Sequence, residues 1–248
     1  MGAAAQVGNG LAYSNLTINN ANGVTLSGNA SVSGTLTFTS GDLMTTSAFT
    51  LTMTSAAAAI AGAGTTQHLV GNLARVFPAV LNTSYVFTIG DGTNYTPVTI
   101  TFVGTPTSGT LTVSTPNTSV ADHPDTSTWS AKIDPTKSVN RYWRTTKDAA
   151  LAGTYNVTLN YIATDLDAGA TAASFVFGRG TGCTGSGATL TCPTWTQLSP
   201  TGTPTTTVAT TNGIVIAAGA AEADLVVGEA ATARFAREKE FVYTRERY

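Results

Sequence analysis

The chain has 248 residues, 42% hydrophobic and only 10% charged, against about 25% charged in an average soluble domain. Its formal net charge of −2 and pI near 5.6 exclude a basic field for nucleic acid. The apolar content excludes a disordered chain. Threonine is the commonest residue. β-branched side chains suit a pleated surface and lose rotamer freedom in helices, and the Glu and Lys that solvent-facing helices need are scarce. An all-β fold is expected.

In chain order, the N-terminal MGAAAQVGNG has no basic segment leading into a long apolar one, so no signal peptide is visible; a secreted form would already have lost it. Residues 16–53 show short alternating bursts, Leu16/Ile18, Val24/Leu26, Leu36/Phe38 and Leu51/Met53, punctuated by Asn22-Gly23, Gly28-Asn29, Ser33-Gly34 and Gly41-Asp42. Strands this short and this regularly interrupted predict β-solenoid rungs over residues 1–64, with a plain meander as the alternative. The longest small apolar run, SAAAAIAGAG at 55–64, is too short to span a membrane. It marks the expected boundary.

From Gln67 the strand-like runs lengthen: HLVGNLARVF, SYVFTIG, TPVTITFVG, GTLTVSTP, RYWRTT, TYNVTLNYIA, SFVFGRG, TLTCPTWTQL and TNGIVIAA. Such strands with short loops predict an antiparallel β-sandwich over 65–228. Its aromatic anchors are Trp129, Trp143, Tyr155, Phe175, Phe177 and Trp195. Within it, the Gly-Asp-Gly of IGDGTNYTPVTITF reads as a hairpin corner whose glycines supply positive φ. After Gly228 the composition changes to a charged extension, 229–248. Its first half is compatible with a helix, and 240–248 alternate like a strand.

Five blocks in order, GNLARVF, YVFTIGDGTNYTPVTITF, WSAKIDPTKSVNRYWR, YNVTLNYIATD and ADLVVGE, cover residues 67–229. Together they resemble the β-sandwich that follows β-strand repeats in large secreted surface proteins of Bacteroidota and similar bacteria. The upstream rungs resemble that family's β-helical repeats. The resemblance implies an extracellular or cell-surface protein, often exported by the type IX route, with no catalytic residues to carry over. The sorting domain expected downstream in that family is replaced here by the charged tail.

Few residues suggest chemistry. Cys183 and Cys192 flank a Gly/Ser-rich loop that can close as a disulfide, implying an oxidising compartment; two unpaired thiols are the alternative. The loop contains G-x-G-x-x-G at Gly180–Gly185, but no helix follows, so a dinucleotide site is not expected. His68 is expected at the surface or in a hairpin at a strand start. His123 reads as a loop histidine, although Asp122, Asp125 and nearby hydroxyls make a catalytic role thinkable. The best calcium candidates are Asp165 and Asp167 in TDLDAG, ahead of Asp122/Asp125 and Asp91; the alternative is a loop kept polar by solvated aspartates. No other cofactor is expected. The tryptophans read as core rather than as sugar-stacking platforms. Alternation places Arg141 with Trp143 and Tyr142 with Arg144, compatible with an edge strand or a cation–π pair. Sequons at Asn15, Asn29, Asn82, Asn94, Asn117 and Asn156 are about as frequent as this composition gives by chance.

These features predict a non-enzymatic structural protein of the bacterial exterior: a surface layer, an adhesin stalk or a filament subunit. Self-association would run through the tail residues Phe241, Tyr243, Arg245 and Arg247 by strand addition. The alternative is a glycan- or calcium-binding module of a larger secreted protein.

Overall fold

The computed structural model describes residues 6–8, 11–116, 122–216 and 223–231. The first half winds as stacked coils. One coil holds β1 (Gln6–Gly8), β2 (Ala12–Tyr13) and β3 (Leu16–Asn19); the next holds β4 (Val24–Leu26), β5 (Ala30–Val32) and β6 (Thr35–Ser40); a third holds β7 (Leu43–Met53) and β8 (Ala59–Ala61). All pairings between coils are parallel. Val24 faces Leu43 on one side, while Leu16 faces Leu36 and Leu36 faces Ile60 on the other. Alternate residues point inward, so Ile18, Leu26, Val32, Leu36, Phe38, Leu43, Leu51 and Met53 form a buried column. No single coil could bury these alone; stacking does it.

The corners of the coils carry the polar burden. Asn15 Oδ1 accepts the Thr35 N–H at 2.7 Å and Asn29 Oδ1 accepts the Thr50 N–H at 2.9 Å, each reaching one coil onward. These bonds satisfy backbone donors that leave the ladder where the chain bends. At Gly41, φ is +74° and an added Cβ would fall 1.8 Å from the Asn20 carbonyl oxygen. Only glycine lets the chain pass there.

β9 (Leu69–Phe77) is the joint of the molecule. One edge pairs in parallel with β7, as another rung. The other pairs antiparallel with β13 (Gly109–Ser114), reached through β10 (Ser84–Phe87), β11 (Ile89–Gly90) and β12 (Val98–Val103). The chain continues through α1 (Thr126–Trp129), β14 (Ile133–Lys147), β15 (Gly153–Asn160), β16 (Phe175–Thr181), β17 (Thr194–Leu198), β18 (Val208–Ile216) and β19 (Ala223–Ala230), with three single-turn 3-10 helices in the loops of the described residues. One large sheet therefore runs β1-β4-β7-β9-β13-β14-β19-β16-β17 from the coils into the antiparallel region. It is accompanied by a three-stranded sheet, β3-β6-β8, and a four-stranded one, β10-β12-β15-β18. One hydrophobic cluster extends from Ile18 to Val227. Phe77 lies within it, edge-on to Tyr85 and Phe102, each with ring centroids 4.9 Å away. The all-β expectation holds, with stacked coils followed by antiparallel sheets.

Locally, three features differ from the sequence reading. β10 and β12 do pair as an antiparallel hairpin, but Ile89 and Gly90 leave it to lie parallel to Leu69 and Val70 of β9. The Gly-Asp-Gly turn thus stands between two sheets. β14 is no edge strand: it lies between β13 and β19. Its alternation is the expected one, with Arg141, Trp143 and Thr145 buried and Tyr142 and Arg144 half-buried on the opposite face. His68 is buried rather than superficial, its Nδ1 3.1 Å from the Gly64 carbonyl oxygen. The tail residues Phe241, Tyr243, Arg245 and Arg247, and the helix and strand expected around them, lie outside the described residues.

Candidate functional site

Arg141 is a buried cation with two anionic partners. Its Nη2 donates to Asp91 Oδ2 at 2.7 Å and its Nε to Asp165 Oδ2 at 2.8 Å. Its position on the interior face of a central strand forces this pairing, because an unpaired guanidinium there would carry the full cost of desolvation. Asp91 also accepts the N–H groups of Thr93 and Asn94 at 2.8 and 2.7 Å, closing its own turn. Burial alone would raise the Asp91 pKa; the Arg141 bond and these N–H donors outweigh it and hold the carboxyl at about 2. For Arg141, burial works to lower the pKa, and its bonds to Asp165 and Asp91 more than reverse it. The Gly-Asp-Gly turn is therefore a corner whose aspartate pins a central strand.

The two carboxylates of TDLDAG are committed to different partners. Asp165 is fully buried against Arg141 and also accepts the Ile162 N–H at 3.2 Å. Asp167 accepts the Ser138 N–H at 2.8 Å and the Asn140 side-chain amide at 2.8 Å. The Ser138 hydroxyl lies 2.9 Å from Asp122 and 3.2 Å from Asp167. Burial, with the charge of Asp167, raises the Asp122 pKa. A calcium site needs several oxygens converging on one point; here a guanidinium occupies the Asp165 side.

On the outer face of the large sheet, a second cluster gathers Trp129, Ile133, Leu190, Trp195 and Val226 around the Cys183–Cys192 disulfide. The disulfide expected from the loop composition is present. Gly180 makes room for it: a Cβ there would meet Cys192 Sγ and the Trp195 ring, both at 2.8 Å. That close approach, rather than a phosphate, accounts for the first glycine of the G-x-G-x-x-G stretch.

His123, Asp224 and Cys192 converge beneath this cap, all buried. His123 Nε2 stands 3.0 Å from Asp224 Oδ2 and 3.8 Å from Cys192 Sγ. The opposite nitrogen, Nδ1, accepts the Asp125 N–H at 3.2 Å. That bond assigns the proton to Nε2, which then donates to Asp224. A metal ligand would show the reverse pattern, with its free nitrogen donating outward. A catalytic triad would leave one nitrogen facing a hydroxyl, whereas both are engaged here. Trp129 Nε1 donates to the His123 carbonyl oxygen at 3.0 Å, and Asp125 Oδ2 accepts the Cys192 N–H at 2.8 Å. The group is a buried polar staple. All three tryptophans belong to cores, with Trp129 and Trp143 fully buried and Trp195 6% exposed.

Beside this cap, where coils meet antiparallel strands, the outer face of the large sheet carries a cleft of about 410 Å³ with a mixed polar and apolar lining. One wall comes from β7. Its pairing with β9 breaks after Thr46, whose φ is +60°, and resumes at Thr50 opposite Asn72, so residues 47–49 loop outward. The Asn72 side-chain amide holds this bulge by donating toward the Thr46, Ser47 and Phe49 carbonyls at 3.4, 3.5 and 3.0 Å. The other wall is the disulfide loop, with Ser186, Gly187 and Leu190. Arg144 ties that loop to the floor: its Nη1 donates to the Gly185 carbonyl oxygen at 2.7 Å, and its Nε lies 3.8 Å from Asp224 Oδ1. Ser114 stands opposite Arg144 in the floor, next to Tyr142. Of these lining groups, sequence reasoning singled out only Tyr142 and Arg144; the bulge in TTSAFT leaves no pattern that alternation can detect.

No family model matches this chain, and no curated protein or solved structure matches it.

Proposed function

We propose that the chain is a non-enzymatic structural element of the bacterial cell exterior: a length of adhesin stalk, surface layer or extracellular filament. The observation that carries this reading is the strand-to-strand path that runs within one sheet from the coils through β9 into the antiparallel strands. Parallel rungs and sandwich share one sheet and one hydrophobic cluster. Bending at the junction would break ladder bonds and expose core, so the molecule resists load as one stiff body. The buried disulfide supports residence in an oxidising compartment, and the resemblance to Bacteroidota surface modules supports the bacterial exterior. Calcium binding is the less favoured alternative, because Arg141, Ser138 and Asn140 already engage Asp165 and Asp167. Self-association through the tail belongs to the same proposal.

Calorimetry and negative-stain microscopy of the full chain test the stiff-element reading. One cooperative unfolding transition and particles of a single straight outline are expected. Two resolved transitions, with particles bent at varied angles, would overturn it. Light scattering before and after removal of residues 230–248 tests the tail: loss of assembly on removal supports strand addition, and an unchanged monomer removes it.

A further inference from the structure

We propose that the cleft at the coil–sandwich junction binds a neutral saccharide, held by side-chain hydroxyl and amide groups and packed against the Tyr142 ring. This goes beyond the structural role, since a stalk can be stiff whether or not it carries a ligand.

Size comes first. A volume of about 410 Å³ lies within the range of small-ligand sites, about 300–1,000 Å³. Four polar atoms of its lining have no hydrogen-bond partner among the described residues: Ser47 Oγ, Asn72 Oδ1, Ser114 Oγ and Tyr142 Oη. Asn72 spends its amide nitrogen on the bulge and keeps its oxygen as an acceptor. The three hydroxyls can each donate or accept. Neutral groups that can play either role suit a ligand whose own hydroxyls do the same.

Charge then separates this ligand from the others. Arg144 is the cation of the lining, but its Nε faces Asp224 and its Nη1 is bound to Gly185. With Asp224 beside it, the cleft lacks the uncompensated positive field that a phosphate or polyanion requires. The surface of the cleft divides almost evenly between polar and apolar atoms, which suits an amphipathic ligand such as a sugar more than a purely apolar one. Its apolar side chains include Leu190, Pro116 and the Tyr142 ring. That ring does not swing freely: His123 packs against it edge-on, with centroids 4.9 Å apart and planes at 71°. A ring held in place on one side and lining the cleft can pack on the C–H face of a sugar, while the surrounding hydroxyls meet the sugar's edge.

Both walls are preorganised. Asn72 locks the β7 bulge, and the disulfide closes the loop opposite. Little entropy is lost in shaping the site for a ligand.

Isothermal titration of the full chain with cellohexaose, maltohexaose, mannohexaose and xylohexaose tests the proposal, with a hexuronate oligomer and inorganic phosphate as controls. At least one neutral hexamer is expected to bind. Tyr142→Phe removes one hydroxyl and should weaken that binding about two- to tenfold, the worth of one hydrogen bond. Ser47→Trp, at an exposed position, should fill the cleft and abolish it. Three results would overturn the proposal: no heat from any neutral hexamer at ~10 mM, where a Kd of about 1 mM would register; binding untouched by both substitutions; or binding of the controls alone. If Ser47→Trp fails to fold, Tyr142→Phe decides. A null here leaves the single unfolding transition and straight outline expected of the stalk unaffected, so the two readings fail separately.

Discussion

The coils and the antiparallel region solve the same problem, a long sheet with a dry core, by different means. Residues 1–74 contain one charged side chain, Asp42; the coils cohere through the apolar column and asparagine corners. The antiparallel region buries Arg141, Asp165, His123 and Asp224 within or beneath its sheets. The difference follows from sequence distance. In the coils each strand's partner lies one turn further along, as with Leu16 and Leu36, so the correct neighbour is always at hand. In the antiparallel region Trp143 must find Leu225 and His123 must find Asp224. A slip of one residue there would put a buried charge without its partner, at a cost large enough to reject the wrong register.

The sharpest way to break this contrast is Arg141→Ala. It leaves Asp165 buried and uncompensated and Asp91 without its cation, so a loss of about 3–5 kcal/mol is expected in urea unfolding. Adding Asp165→Asn should recover part of that loss, and the double-mutant cycle measures the coupling. A cost near that of a surface substitution, about 0.5 kcal/mol, would mean that the ion pairs do not set the register.

Next in size is the disulfide. Replacing Cys183 and Cys192 with alanine frees a loop of sequence separation 9, for which loop-closure entropy predicts about 2–3 kcal/mol. The comparison is sharpened by where the loss appears. Hydrogen exchange should quicken around Trp129 and Trp195, which pack on the disulfide, while the Leu36 and Leu51 amides in the coils keep their protection. Equal loosening in both regions would show that the cap has no local opening of its own beneath the single global unfolding transition.

How legible these regions were in the sequence follows the same division. Coil strands announced themselves because period-two alternation and turn residues recur within a few positions, as in Leu36/Phe38 before Gly41-Asp42. The disulfide was legible from a glycine-rich loop between two cysteines. The face assignment of Arg141 with Trp143 and Tyr142 with Arg144 was also correct, since alternation alone fixes it. What sits opposite those residues was not legible. Nothing near Arg141 in sequence indicates Asp91 or Asp165, and the exposed reading of His68 failed because Gly64 and Gly90 close over it only in three dimensions. The cleft was hidden for a related reason: its floor comes from β9, β13 and β14, and one wall is a bulge, which interrupts the very periodicity used to find strands.

The smallest effect tests the coil side of the contrast. Asn29 Oδ1 accepts the Thr50 N–H one coil onward, at an exposed corner where water can partly replace the lost bond. Asn29→Ala should therefore cost about 0.5–1.5 kcal/mol, well below the cost of Arg141→Ala. Asn29→Asp keeps an acceptor oxygen in the same place and should recover most of that loss. If alanine and aspartate destabilise alike, the oxygen is not what braces the corner. If aspartate rescues, the coils are held by repeated neutral bonds of modest individual strength, each between adjacent turns, and no single one of them matters as much as the buried Arg141 that pins β14.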